Sequence, residues 1–120
     1  MIKKANLQKT EARKNMRGAP GEVKIRHYFG GGELNFPCRL CAELTIPPGA
    51  GIGLHEHIGE DEIFIVQRGS GVVTDSGRES AVAPGDAIVT GKGGSHAVMN
   101  TGAEDLVMTA IIVVYGKQTT

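Results

Sequence analysis

Short β-branched and apolar segments recur along this sequence from residue 22 onward, and turn-forming residues separate them. The segments lie at 22–29, 38–46, 62–67, 71–74, 80–83, 86–90, 96–100 and 105–115. Strands of this length and spacing predict an all-β fold, a sandwich or a barrel. Asp75-Ser76-Gly77 is typical of a tight hairpin turn. No useful 3.6-residue periodicity follows residue 20, so we expect any helix to lie in the N-terminal segment.

The length of 120 residues predicts one domain. We divide the chain into an N-terminal arm, residues 1–20, and a folded domain, residues 21–120. The arm is basic and the rest is acidic, which is consistent with self-association, although a solvated tail is the alternative. Because the segment 62–67 is apolar on both faces, a second layer or a partner must cover it. We expect a homodimer in which residues 1–20 or the strand 22–29 lie on the partner's sheet.

Charge and composition exclude several classes of function. The net charge is +0, which gives no electrostatic reason to expect nucleic acid or an anionic membrane as a partner. No signal peptide or membrane span is recognisable, so we expect a cytoplasmic protein. Cys38 and Cys41 form a C-x-x-C pair, but neither a second pair nor a helix start accompanies them. We interpret them as reduced residues on opposite faces of a strand.

Three of the four histidines indicate a metal site. His55 and His57 form an H-x-H pair, which on an extended segment projects both imidazoles to one face. Such a pair alone is more often solvated than ligating. Here Glu62 follows after a short loop, and His96 begins a later strand next to several glycines. Three imidazoles and a carboxylate are a common ligand set for a divalent metal, so we predict one ion held by His55, His57, Glu62 and His96.

These residues stand in two motifs that resemble those of the cupin superfamily. The first motif is matched at every defined position and the second at all but one, where Gly91 replaces the usual proline. The matching positions are Gly49, His55, His57, Glu62 and Gly69, then Gly85, Gly93, His96 and Asn100. The chain is more closely similar to small single-domain bacterial cupins of an oxalate-decarboxylase-like group, whose short arm ends like Asn15–Gly18. The arginine that the decarboxylases carry just upstream of the first histidine is absent here.

The resemblance implies a double-stranded β-helix, a jelly roll of two antiparallel sheets, with the metal between them. The ligands suit Mn(II), Fe(II), Ni(II), Co(II) or Zn(II). An octahedral ion with four protein ligands keeps two positions for a chelating 2-keto acid, 2-hydroxy acid or vicinal diol. Lewis-acid polarisation of that ligand is then the available chemistry. The low aromatic content, 4%, argues against a stacking pocket for a large planar ligand.

Two functions stay open at this stage. The first is a metal-dependent enzyme, a decarboxylase, dioxygenase, isomerase or lyase, acting on a small oxygenated acid or sugar. The second is a non-catalytic module that binds or senses such a molecule. Glu60 is the candidate acid or base, and Arg39 and Lys92 are candidates to pair with a substrate carboxylate. A solvated loop acid and surface bases are the alternatives, and the pattern assigns no role to His27 and Tyr28.

Overall fold

The structure, a computed structural model, describes residues 1–30 and 32–115. This part of the chain forms ten strands and two single helical turns, the latter at Ala5–Leu7 and Met16–Gly18. The all-β prediction is therefore confirmed. The strands are β1 Lys9–Lys14, β2 Glu22–His27, β3 Cys38–Ile46, β4 Gly51–Glu56, β5 Glu60–Arg68, β6 Gly71–Asp75, β7 Arg78–Val82, β8 Ala87–Thr90, β9 Ser95–Met99 and β10 Leu106–Val114.

The strands form two sheets in which every pair is antiparallel. One sheet has the order β1-β2-β3-β10-β5-β8, and the other has the order β4-β9-β6-β7. Apolar side chains from both sheets form the core between them. Phe64 and Val66 of β5 point into that core and are buried, whereas Ile63 and Ile65 on the opposite face are half-buried. The outer face of β5 is thus only partly covered within one chain, and the predicted homodimer stays a prediction.

Part of the predicted arm is a strand that the sequence pattern did not indicate. β1 pairs with β2 of the same chain, from Lys9 opposite His27 to Lys14 opposite Glu22. All six residues of β1 are exposed, which explains the missing alternation of apolar and polar residues. This pairing needs no partner subunit. A domain boundary at residue 20 stays a prediction, and residues 116–120 of the predicted domain lie outside the described residues.

The turn Met16–Gly18 packs closely against β4 through backbone contacts. Asn15 and Arg17 both have left-handed backbone, with φ of 49° and 53°. The N–H of Gly51 donates to the carbonyl of Pro20, 3.2 Å away. A Cβ at Gly53 would overlap the carbonyl oxygen of Arg17, so only glycine permits this approach. The glycines of β4 therefore fix where the N-terminal segment crosses the second sheet.

Two local predictions are confirmed. β6 and β7 are joined by the two-residue turn Ser76-Gly77, with φ of 49° and 85°, as a tight hairpin of this kind requires. Cys38 and Cys41 are both free and both lie in β3, as expected. The expectation that they lie on opposite faces is wrong: a register shift places Cys38 opposite Val113 and Cys41 opposite Ile111, and these two residues share one face of β10.

Candidate metal centre

The fold brings residues from both motifs to one place between the sheets. His55 on β4 lies directly opposite His96 on β9 in the antiparallel register. His57, just after β4, donates its N–H to the carbonyl of Gly94 at 2.9 Å, and its own carbonyl accepts from the N–H of Gly93 at 3.0 Å. The glycine-rich turn is thereby bonded to the H-x-H segment. Glu62 reaches the same point from β5 of the opposite sheet.

The four predicted ligand residues converge closely enough to hold one metal ion. Their ligand atoms all lie within 4.8 Å of one another. The Nε2 atom of His96 lies 3.0 Å from that of His57 and 3.1 Å from that of His55. Oε1 of Glu62 lies 3.0 Å from Nε2 of both His57 and His96. Two ligand atoms each about 2.1 Å from one ion, at a right angle, are about 3.0 Å apart, so the residues fit a divalent metal.

The other ring nitrogen of each imidazole is engaged outside the cluster. Nδ1 of His55 lies 2.7 Å from the carbonyl of Gly53, and Nδ1 of His57 lies 2.6 Å from Glu60. Because a carbonyl and a carboxylate only accept, both Nδ1 atoms must donate. Nδ1 of His96 lies 3.1 Å from the Thr90 hydroxyl.

That hydroxyl donates to Asp75, 2.7 Å away, which leaves its oxygen free to accept from His96. With all three Nδ1 atoms carrying the proton, all three Nε2 atoms present lone pairs to the centre of the cluster. Such outer hydrogen bonds are how proteins fix the tautomer and orientation of metal-binding histidines.

Burial and hydrogen bonding set the protonation of the cluster when only protein groups are present. Burial lowers the pKa of His55, and the positive charge of Arg17 adds to this effect. Burial also lowers the pKa of His57, but hydrogen bonds to Glu62 and Glu60 outweigh it and the pKa is raised overall. Burial raises the pKa of Glu62, but hydrogen bonds from the two buried imidazoles, which form when Nε2 carries a proton in place of a metal, outweigh it and the pKa is lowered. Glu62 is therefore ionised at neutral pH.

Glu60 is not the solvated loop acid that was the alternative in the sequence. It begins β5 and is 2% exposed. Arg39 donates to both of its oxygens at 2.8 Å, and Nδ1 of His57 donates to Oε1. The hydrogen bond from Arg39 is the largest reason why the pKa of Glu60 is lowered to about 2. Glu60 thus holds the ring of His57, and Arg39 holds Glu60. That Glu60 also moves a proton stays a prediction.

We expect Glu60→Gln to weaken metal binding about tenfold, because loss of a partner that orients a ligand typically costs 10- to 100-fold in metal affinity. The substitution weakens the acceptor for His57 and removes the counter-charge of Arg39. Competition with a chromophoric chelator measures the affinity. The matched control is Glu56→Gln, since Glu56 is exposed and lies between the two histidines in sequence. Equal affinities for both variants would show that Glu60 does not position His57.

Gly91, which replaces the usual proline of the second motif, lies where a larger residue would not fit. A Cβ at Gly91 would overlap Oδ1 of Asp61. That oxygen accepts a hydrogen bond from the hydroxyl of Tyr115 at 2.8 Å, and the Tyr115 oxygen in turn accepts from the N–H of Lys92 at 3.4 Å. The turn before β9 is therefore restrained by Asp61 and Tyr115 rather than by a proline. The side chain of Lys92 is exposed.

A cavity of about 490 Å³ opens onto the cluster. His55, His57 and Glu62 line its inner end, and Arg39 and His27 line its wall. Apart from imidazoles, no aromatic ring is among its described lining residues, as the composition predicts. Lys92 and Tyr28 are not among them either. Three further cations line it that the sequence analysis did not select: Arg13, Lys14 and Arg17.

Comparison with known proteins identifies the family. The family described as Cupin domain matches residues 42–115. The chain belongs to this family. The cupin is 40% identical over 99 residues to the oxalate-binding protein of Thermotoga maritima. The matched region covers 82% of each chain. The resemblance stated from the two motifs is thereby confirmed.

Solved structures confirm the cupin fold. The crystal structure of a predicted oxalate decarboxylase from Thermotoga maritima matches with a TM-score of 0.90 at 37% identity, covering 95% of this chain and 99% of that one. A cupin 2 conserved barrel domain protein from Rhodopseudomonas palustris matches with a TM-score of 0.74 at 18% identity, covering 93% and 74%. In the described part of this cupin, no helix has the length and hydropathy that a membrane crossing requires. The cytoplasmic location stays a prediction.

Proposed function

We propose that His55, His57, Glu62 and His96 hold one divalent transition metal, through which the protein binds a small chelating carboxylic acid. The observation that carries this proposal is the convergence of three imidazole lone pairs and one carboxylate. Lone pairs at such separations repel one another unless a cation or a proton lies between them. A metal held by these four residues that takes six ligands would have two positions open to a chelating acid.

The charge of the cavity supports an acid as the ligand. Four cationic side chains line it, Arg13, Lys14, Arg17 and Arg39, and Glu62 is the one carboxylate among its described lining residues. Salt bridges to Glu11 and Glu60 neutralise Arg13 and Arg39, which leaves the charges of Lys14 and Arg17. A small anion is therefore favoured in the cavity, and more strongly once a metal adds its charge. Because the Thermotoga maritima relative is an oxalate-binding protein, oxalate is the first acid to test. When bound, the metal supplies a Lewis acid with open coordination positions.

The state of Glu60 favours binding over catalysis. Both of its oxygens accept hydrogen bonds from Arg39 and one also from His57, and its lowered pKa keeps it ionised at neutral pH. A general acid or base works best with a pKa near the working pH and needs an oxygen that faces the reacting group. Among the candidate residues, Glu60 was the one predicted to move a proton. We therefore infer a binding module as the function and keep the enzyme as the alternative that turnover assays decide.

Calorimetric titration with oxalate tests this function. We expect oxalate to bind the manganese-loaded protein with one site per chain, and the protein treated with a chelator to show no binding. Acetate, which has one carboxylate and forms no five-membered chelate ring, is the control ligand and should bind at least about tenfold more weakly. Equal oxalate affinity with and without metal, or no oxalate binding by the loaded protein, would refute the proposed function.

A further inference from the structure

The outer part of the cavity carries two positive charges that no acidic side chain of the described residues neutralises. Arg39 is paired with Glu60, and Arg13 is paired with Glu11 at 2.7 Å. Lys14 and Arg17 also line the cavity, and neither forms a salt bridge within residues 1–30 and 32–115. An unpaired cation in a concave surface attracts an anionic group of a ligand. We call Lys14 and Arg17 the cationic rim.

The backbone holds Arg17 in place. The turn that carries it has left-handed residues at Asn15 and Arg17 and is closed by a hydrogen bond from the N–H of Gly18 to the carbonyl of Asn15, 3.0 Å long. The contact with Gly53 then fixes the turn against β4, two residues before His55. Arg17 and His55 both line the cavity. The backbone from which Arg17 extends is therefore held beside the candidate metal site, and Lys14 lines the same cavity.

An apolar wall lies along the same cavity. It consists of Met16, Ile25, Leu40, Leu44, Ile52 and Ile112. A volume of about 490 Å³ lies within the range of 300–1,000 Å³ that is usual for sites of larger small molecules. Oxalate, whose two carbons are both carboxylate carbons, has no part that could contact an aliphatic wall. The cavity thus combines the candidate metal ligands, an apolar stretch and the cationic rim.

From this arrangement we propose that the cavity selects acids with two separated functions: a group that chelates the metal and, beyond a short aliphatic segment, a second anionic group that binds the cationic rim. The inference rests on the proposed function, metal-dependent binding of a chelating acid, and specifies the ligand class. The second group is a carboxylate or a phosphate, since both accept several hydrogen bonds from guanidinium and ammonium groups. A longer 2-hydroxy diacid is the simplest member of this class.

A pair of matched ligands tests the inference by calorimetry on the manganese-loaded protein in 0.15 M salt, which is about the physiological ionic strength. 2-Hydroxyglutarate has a second carboxylate, and 2-hydroxypentanoate has a methyl group at that end and is otherwise the same acid. We expect 2-hydroxyglutarate to bind about tenfold more tightly. In the double variant Lys14→Gln/Arg17→Gln, the ratio of the two affinities should fall to about one or two. The control is Lys24→Gln, because Lys24 is exposed and is not among the residues that line the cavity.

The outcomes separate this inference from the proposed function. If oxalate and 2-hydroxypentanoate bind only in the presence of metal but 2-hydroxyglutarate binds no better, the selection by the cationic rim is wrong and the proposed function stands. The selection is also wrong if the double variant and Lys24→Gln keep the same affinity ratio. If none of the three acids requires metal for binding, the proposed function itself fails.

Discussion

The variant His57→Ala is expected to retain less than about a tenth of the metal that the unmodified protein holds after dialysis against the same metal buffer. Loss of a residue that merely orients a ligand costs 10- to 100-fold in metal affinity, and loss of the ligand itself should cost at least the upper end of that range. The side chain of His57 is 1% exposed, so solvent does not reach this position to replace the lost ligand unless the site rearranges. Elemental analysis of protein made without a histidine tag gives the metal content directly.

The same variant should lose the thermal stabilisation that metal gives. A ligand that binds only the folded state adds about 4 kcal/mol when its free concentration is 1,000 times its Kd. For a domain of this size, that corresponds to a rise in Tm on the order of 15 °C. We expect this rise for the unmodified protein on addition of Mn²⁺ or Zn²⁺, and little or none for His57→Ala.

His27→Ala is the matched control for both measurements. His27 is a partly buried histidine that lines the cavity, but it pairs with Glu11 at 2.7 Å and is not part of the cluster. Its loss should leave the metal content and the metal-induced rise in Tm unchanged. If His57→Ala and His27→Ala retained the same amount of metal, the four residues would not form the site.

The ligand residues could be predicted from sequence because their spacing carries the geometry. His55 and His57 are two residues apart on an extended segment, and the glycines before His96 allow the turn that bonds back to His57. In each case a short stretch of chain determines the relation between side chains. The strands that carry these residues then come together if they pair in the correct register. The alternation of buried residues in β5 and β9 sets that register.

The cations of the cavity could not be predicted in this way. Arg13 and Arg17 precede the first motif by more than thirty residues, and nothing in a basic segment distinguishes a solvated tail from a cavity wall. β1 has no alternation because all of its residues are exposed, so the pattern that reveals half-buried strands is absent. A weaker signal is present at Gly51 and Gly53. Glycines inside a strand often mark the close approach of another backbone. At Gly53 that backbone is the turn that carries Arg17, and at Gly51 it is β9 at Val98.

The hydrogen bonds around the cluster could not be predicted from the sequence either. Glu60 shares the strand face of Glu62, which suggested a role near the metal. Its pairing with Arg39, however, depends on the lateral contact of β5 and β3 with β10. Sequence spacing therefore placed the Glu60 carboxylate near the metal site. Its contact with His57, in place of an orientation toward the cavity, depends on the order of strands in the sheet.

Phe64→Ala is expected to produce the largest loss of stability among core substitutions near the site. Phe64 is 1% exposed, and its ring stacks on the imidazole of His96 with centroids 4.8 Å apart and planes 7° from parallel. Replacement of a buried phenylalanine by alanine costs about 3–5 kcal/mol. This is a large part of the 5–15 kcal/mol typical of a whole domain. Urea denaturation of the metal-free protein should show a correspondingly lower midpoint.

Because the ring supports His96, Phe64→Ala should also weaken metal binding by about tenfold, an effect of the size seen when a ligand loses its support. Val66→Ala separates the two effects: Val66 is 2% exposed on the same inward face of β5 but has no ring contact with a histidine. It should cost about 2 kcal/mol of stability for the two methyl groups removed and leave the metal affinity unchanged. If Phe64→Ala is too unstable to measure, Phe64→Leu gives a smaller change in the same two quantities. Equal metal affinities for the Phe64 and Val66 variants would mean that Phe64 contributes to the core alone and that Thr90 suffices to hold His96.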